Sequence, residues 1–184
     1  MVVDIFNTQR KYNIIYADPP WKYGSKGCRS GQFASLDYND MTTGDIIKLP
    51  VSNIAADDSV LLMWFTGSFV HDAIQVCEGW GFNVVRIDTV WNKKTSGGKP
   101  HGVPGPWGMS DCEFILLGTR GKACGLQWGK RNMYTGQDVE YPGKHSQKPD
   151  YFYELIEKRF KPLPKIELFA RQHRPGWDCW GNEV

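Results

Sequence analysis

The sequence predicts an α/β protein, a mainly parallel sheet with helices on both faces. Short all-apolar runs carry the first half of that expectation: Asn13-Ile14-Ile15-Tyr16-Ala17, Val60-Leu61-Leu62-Met63-Trp64-Phe65 and Phe114-Ile115-Leu116-Leu117. Such uninterrupted runs mark strands covered on both faces, because a half-exposed strand would alternate polar and apolar residues. Segments of helical period separate them and carry the second half. Apolar residues fall at Phe69, Val70, Ala73, Ile74 and Cys77 between Ser68 and Glu78, and at Phe152, Leu155 and Ile156 between Asp150 and Phe160. Strands that alternate with helices pack as parallel sheets, and such sheets bind ligands outside the carboxyl ends of their strands.

Taken in order, the first strand stops at Asp18-Pro19-Pro20, because proline cannot continue a central hydrogen-bond ladder. Residues 22–40, rich in Gly, Ser and charge, read as a loop. Thr42 or Thr43 caps a short helix over Asp45–Leu49, closed by Pro50. The Ser68–Glu78 helix ends at Gly79 and Gly81, and Asn83–Trp91 reads as a further strand. A Gly- and Pro-rich loop runs to Gly108, and residues 120–147 read as one long loop, a length usually reserved for function or disorder. Ile166-Glu167-Leu168-Phe169-Ala170 is the last strand.

At 184 residues, with 41% hydrophobic and 23% charged, the chain suits a single domain over 1–184 with its own core. That composition excludes a disordered or fibrous protein. No run nears the ~20 apolar residues of a membrane span, and the N-terminus lacks the apolar stretch of a signal peptide. Five cysteines without CxxC spacing argue against a disulfide scaffold or a zinc ribbon, so a cytoplasmic location is expected. The four histidines show no metal-ligand spacing with cysteine, and no metal is expected. Net charge is only +2, yet residues 93–148 carry +5 and the remainder −3. A local basic surface with aromatic residues in it suits nucleic acid.

Asp18-Pro19-Pro20-Trp21 is the sharpest chemical feature. It sets a carboxylate, two carbonyls and a flat ring at the end of a buried strand. The amino group of a nucleobase is planar and poorly nucleophilic because its lone pair is delocalised. Two rigid acceptors, the Asp18 carboxylate and the Pro19 carbonyl, could take both amino hydrogens and let the nitrogen become tetrahedral, while Trp21 offers a stacking face. A plain turn, with Trp21 covering the core, is the alternative.

Further motifs follow in order: Tyr38-Asn39-Asp40-Met41, Trp91-Asn92-Lys93, Glu113, His145-Ser146-Gln147-Lys148-Pro149, Glu167-Leu168-Phe169-Ala170-Arg171-Gln172-His173 and Gly176-Trp177-Asp178-Cys179-Trp180-Gly181-Asn182-Glu183. With the DPPW tetrad, this series resembles the MT-A70 family of adenine-N6 methyltransferases over nearly the whole chain. The resemblance implies a Rossmann-like methyltransferase fold in the circularly permuted beta-class order, catalytic strand first and cofactor strand last. It implies S-adenosyl-L-methionine as cofactor. Asp18, Pro19, Pro20 and Trp21 would form the catalytic motif, with Asp18 also beside the methionine end of the cofactor. Lys148 would pair with the cofactor carboxylate, Arg171 and His173 would hold its ribose and methionine parts, and Asn182 and Glu183 its ribose hydroxyls. Asp4 and Ile5 would meet its adenine. Arg174 departs from the Asn that some members carry.

Recognition of the nucleic acid is expected from loops: Lys22 and Tyr23 after the motif, Trp107 in Gly105-Pro106-Trp107-Gly108, and Lys130 and Arg131 in the 120–147 segment. DNA is the expected substrate, since no RNA-binding module accompanies the motifs. RNA, or a role as a non-catalytic nucleic-acid-binding subunit, is the alternative. Cytosine-N4 methylation uses similar chemistry but typically begins its motif with Ser.

Overall fold

A computed structural model describes residues 1–23, 40–105, 107–128, 133–143 and 147–184. The first apolar run forms β1 (Tyr12–Ala17), an interior strand of a seven-stranded sheet. The other strands are β2 (Ala55–Phe65), β3 (Asn83–Lys94), β6 (Cys112–Arg120), β7 (Gly136–Glu140), β8 (Lys165–Leu168) and β9 (Asp178–Trp180), in the spatial order β7-β3-β6-β2-β1-β8-β9. β1 runs parallel to both neighbours, β2 and β8, and β8 parallel to β9. β6 alone is antiparallel to its neighbours, β2 and β3. A separate two-stranded hairpin joins β4 (Val103–Gly105) to β5 (Gly108–Ser110).

The period of two in β1 divides the core. Ile15 and Ala17 face one side, where α1 (Thr43–Ile47), α2 (Val51–Ile54) and α3 (Val70–Gly79) pack Ile46, Val51, Ile54, Val76 and Trp80 against the sheet. Ile14 and Tyr16 face the other, where α4 (Asp150–Arg159) contributes Phe152 and Ile156. Each such fully buried side chain stabilises the fold by about 1.5–3 kcal/mol. Helices on both faces leave the carboxyl edge of β1, β2 and β8 as the place where irregular segments meet. Among the described residues no helix is long and apolar enough to cross a membrane.

Several boundaries differ from the sequence expectation. Thr42 caps α1 by accepting a hydrogen bond from the Asp45 amide at 3.2 Å, as expected. Pro50, however, starts a second helix as well as closing the first. The 120–147 segment is not a single loop, since a 3₁₀ turn at Ala123–Leu126 and the edge strand β7 lie within it. The Gly- and Pro-rich stretch before 108 likewise carries β4, and the C-terminal motif carries β9. None of these three strands has an apolar run, so none shows the signal of a doubly covered strand. β4 and β5 are exposed throughout, and β7 alternates exposed and half-buried residues. Most of the expected 22–40 loop lies outside the described residues.

Candidate active site

Asp18 follows the last residue of β1, and its amide donates to the Leu168 carbonyl at 3.4 Å. The motif therefore stands at the carboxyl edge of the sheet, beside the end of β8. There Lys148 Nζ, just ahead of α4, approaches Asp18 Oδ2 at 2.8 Å and Glu113 Oε2 at 3.2 Å. Lys93 Nζ closes the row at 2.7 Å from Glu113 Oε1. Four charges thus alternate in sign along one line, Asp18, Lys148, Glu113 and Lys93. Their side chains are only 9–22% exposed. Two tryptophans lie beneath the cations: Lys148 Nζ is 5.2 Å from the Trp64 ring and Lys93 Nζ 5.2 Å from Trp91.

Removing charges from water is costly unless each meets an opposite partner, and here the row sums to zero. The carboxylates nevertheless respond differently. Burial pushes the Asp18 carboxyl above its ordinary range, against the pull of Lys148. Glu113 feels the same burial, but Lys148 and Lys93 together outweigh it and hold the carboxyl low. Burial works against the charge on Lys148, and the two carboxylates overcome it and raise its pKa. Glu113 is thereby the fixed anion of the row. Asp18, at its end with a single cation, is the carboxylate most responsive to an incoming group.

Around the motif, the Pro19 carbonyl accepts from the Trp21 amide at 2.9 Å, which leaves one lone pair free for a further donor. Trp21 is 8% exposed, stacks on Phe69 at 5.4 Å and donates its indole N–H to the Trp64 carbonyl. One of its ring faces is thus occupied from within the protein. Tyr23 is exposed at the same edge and shares a hydrogen bond with Thr66 at 3.1 Å, and Lys22 is exposed beside it.

The second group of motif residues gathers beyond β8. Phe169 takes a left-handed conformation, φ 61°, and turns the chain as the strand ends. A non-glycine residue held there stores strain of about 1–3 kcal/mol, tolerated where packing dictates it; Phe169 packs edge-on to Trp180 at 5.4 Å. Arg171 Nε then lies 3.6 Å from Glu183 Oε1. Gly181 makes that meeting possible, because a Cβ there would stand 2.3 Å from the Ala170 carbonyl oxygen and 2.6 Å from its amide nitrogen. We expect Gly181→Ala to destabilise the fold by about 1–3 kcal/mol and to separate Asn182–Glu183 from Arg171. Urea denaturation checks the first effect and calorimetry with S-adenosylhomocysteine the second.

His173 Nδ1 sits 3.4 Å from Cys179 Sγ. Arg174, the departure noted above, is turned towards α4: it pairs with Asp150 at 2.5 Å and covers the Tyr153 ring at 3.7 Å. The N-terminal segment runs beside β9 through a Val2–Cys179 bridge. Ile5 is buried in the core, while Asp4 is exposed and caps its own turn by accepting from the Phe6 amide.

The structure therefore brings Asp18 to Lys148 and Arg171 to Glu183, at the ends of adjacent strands. Trp107 stands apart, fully exposed on the β4–β5 hairpin. Lys130 and Arg131 lie outside the described residues. Among the described residues, no three His, Cys, Asp or Glu side chains converge as a metal site.

Two members of the charged row, Glu113 and Lys93, carried no role in the sequence reading. Their position follows from the one strand that runs backwards: because β6 is antiparallel, its first residues arrive at the edge where its neighbours end. The available signal was an acidic residue immediately before the apolar run Phe114–Leu117, which on a reversed strand faces the ligand edge. Glu167 was also read only as part of a motif. It is 7% exposed, accepts from Tyr153 at 2.6 Å, and leaves Oε2 buried without a hydrogen-bond partner among the described residues.

A doubly wound sheet with an acid-proline-proline-aromatic motif at the end of an interior strand, and a paired cation from the opposite end of the chain, defines a methyltransferase that acts on nucleobase amino groups. The family model MT-A70 matches residues 12–183, and the chain belongs to that family of adenine-N6 methyltransferases. It is 36% identical over 192 residues to the type II methyltransferase M.MunI of Mycoplasma sp, covering 96% of this chain and 79% of that protein. It is 28% identical to the human N(6)-adenosine-methyltransferase catalytic subunit METTL3 over 95% of this chain and 28% of that one. An Arabidopsis thaliana N(6)-adenosine-methyltransferase MT-A70-like protein is 27% identical over 99% of this chain and 24% of its own length. The chain thus spans most of the type II relative but only about a quarter of the other two.

Proposed function

We propose that the chain uses S-adenosyl-L-methionine to methylate the N6 amino group of adenine in DNA. The observation that carries this reading is the neutral row Asp18–Lys148–Glu113–Lys93 at the carboxyl edge of β1. The donor set suits the cofactor. Lys148 offers a cation to a carboxylate, Asp18 an anion to an ammonium or sulfonium, and the Arg171–Glu183 pair both a donor and an acceptor to ribose hydroxyls. Glu167 Oε2, which has no hydrogen-bond partner among the described residues, adds a buried acceptor near the same strand end. When bound, S-adenosyl-L-methionine supplies an electrophilic methyl group.

The protein's own residues do the rest. Asp18 Oδ and the free lone pair of the Pro19 carbonyl accept the two amino hydrogens of adenine. The nitrogen lone pair is thereby withdrawn from the ring and directed at the methyl carbon. As the N–C bond forms, the methyl carbon's bond to sulfur breaks and S-adenosylhomocysteine is the leaving group; positive charge passes to the nitrogen, and the negative charge of Asp18, already in place, stabilises it. The surplus proton then leaves the nitrogen towards the same edge, where the Asp18 carboxylate, raised by burial, accepts it. Asn182, His173, Asp4 and Ile5 complete the proposed cofactor site, and Lys22 and Tyr23 the approach for the base.

DNA is favoured because identity is higher with the type II methyltransferase than with the proteins whose names specify adenosine, the ribonucleoside. Labelled S-adenosylmethionine, matched DNA and RNA oligonucleotides and nucleoside analysis test the proposal. N6-methyldeoxyadenosine is the expected product. Methylation confined to RNA would reassign the substrate, and N4-methylcytosine as the sole product would overturn the reading.

A further inference from the structure

Trp107 is the one tryptophan among those described that is wholly exposed, while Trp64, Trp80, Trp91 and Trp177 are 0–2% exposed. A large aromatic residue left in water forgoes the burial that stabilises its counterparts, so its position asks for a partner. It sits at the tip of the β4–β5 hairpin, where Gly105 pairs with Gly108 and Gly108 takes φ +130°, a conformation that favours glycine. The hairpin is anchored to the charged row at its base. The Lys93 amide donates to the Asp111 carbonyl and the His101 amide to the Lys93 carbonyl, both at 2.9 Å, and Glu113 follows two residues after Asp111.

From this juxtaposition we propose that the β4–β5 hairpin enters a groove of the DNA duplex and that Trp107 fills the space vacated when the target adenine leaves the stack. The inference rests on the reading of the protein as a DNA adenine methyltransferase and names how that substrate is opened. Adenine N6 is reached only when the base is extruded, and extrusion leaves a gap whose neighbours have lost a stacking partner. An apolar side chain inserted between base steps restores that contact. The dimensions agree. Three cross-strand pairs span about 10 Å, against a major-groove depth of about 8.5 Å, and that groove admits a two-stranded ribbon. Because Lys93 holds both ends of the hairpin, a tip that enters the stack is referenced directly to the charged row that receives the flipped base.

The test compares wild type and Trp107→Ala on three DNA substrates of one sequence: a fully paired duplex, the same duplex with the target adenine mismatched, and the single strand. The variant is expected to lose about tenfold or more in kcat/KM on the paired duplex, and less than about threefold on the other two, where unstacking is already partly done. Trp107→Phe should restore most of the duplex activity. With 2-aminopurine at the target, the fluorescence rise on binding wild type should be largely absent with the alanine variant. Equal losses on all three substrates, or no loss on any, would overturn the wedge. A shift of oligomeric state in sedimentation with unchanged duplex selectivity would assign the hairpin to contact with a second copy and likewise overturn it. Failure of wild type to methylate any of the three would instead count against the underlying substrate reading, so the two failures are separable.

Discussion

Asp18→Ala is expected to collapse methyl transfer by at least about 10²–10³-fold, the usual cost of removing one preorganised electrostatic partner of a transition state. The fold should survive the change. The side chain is 22% exposed at a strand end, and Lys148 keeps Glu113 as a partner 3.2 Å away. Asp18→Asn preserves an acceptor oxygen and removes the charge, so a measurable rate should persist. No proton has to leave the amine before attack, and hydrogen-bond acceptance carries part of the effect. Single-turnover methylation read beside a thermal melt decides the point. An alanine variant that stays active, or one inactive only because it is unfolded, would remove Asp18 from the chemistry.

Lys148→Ala should have the larger effect on stability, about 3–5 kcal/mol at neutral pH, because it leaves two buried carboxylates with one cation between them. Its pH dependence has a defined sign. In the wild type the lowered Glu113 contributes stability that is present above its unfolded pKa and lost as pH falls through its folded value. Without Lys148 both carboxylates move up, and Asp18 is already raised by burial. A carboxyl whose folded pKa exceeds the unfolded one stabilises below the unfolded value and loses that contribution as pH rises through the folded value. The variant should therefore gain more stability than wild type as pH falls from neutral to mildly acid, because both of its carboxylates are raised whereas wild type has Asp18 raised and Glu113 lowered. Urea unfolding at neutral and mildly acid pH measures this, and parallel pH profiles would show that the row is not coupled. Calorimetry should also show weaker binding of S-adenosylhomocysteine, because the cation proposed for the cofactor carboxylate is gone.

Much of this site could be read before any coordinates. β1, β2 and β6 announce themselves as apolar runs, and the prolines after Asp18 fix where β1 must stop. Once that end is known, Asp18 falls at the carboxyl edge, where ligands of such sheets gather. Residues at the far end of the chain come to the same edge because β8 pairs with β1, in a register that sets Ala17 opposite Leu168. The direction of a strand is what an apolar run does not reveal. Phe114–Leu117 reads identically in both directions, so the arrival of Glu113 beside Lys148 depended on tertiary pairing alone. Edge elements escaped for a different reason: β7, β4 and β5 bury too little to leave an apolar pattern. The occupied face of Trp21 was likewise invisible, since its partner Phe69 stands 48 positions further along the chain.

The place of β1 between β2 and β8 has a consequence for the birth of the protein on the ribosome. One edge of β1 can close early against β2, but the other waits for β8, and the Asp18–Lys148 contact joins residues 130 apart. At about 5–20 residues per second, synthesis of the intervening chain takes roughly 7–26 s. Throughout that interval a largely apolar strand presents open backbone groups, a template for pairing with other nascent chains. Shielding of that edge and the arrival of the lysine that neutralises Asp18 belong to the same late event, so a chain halted before α4 is at once inactive and prone to aggregate.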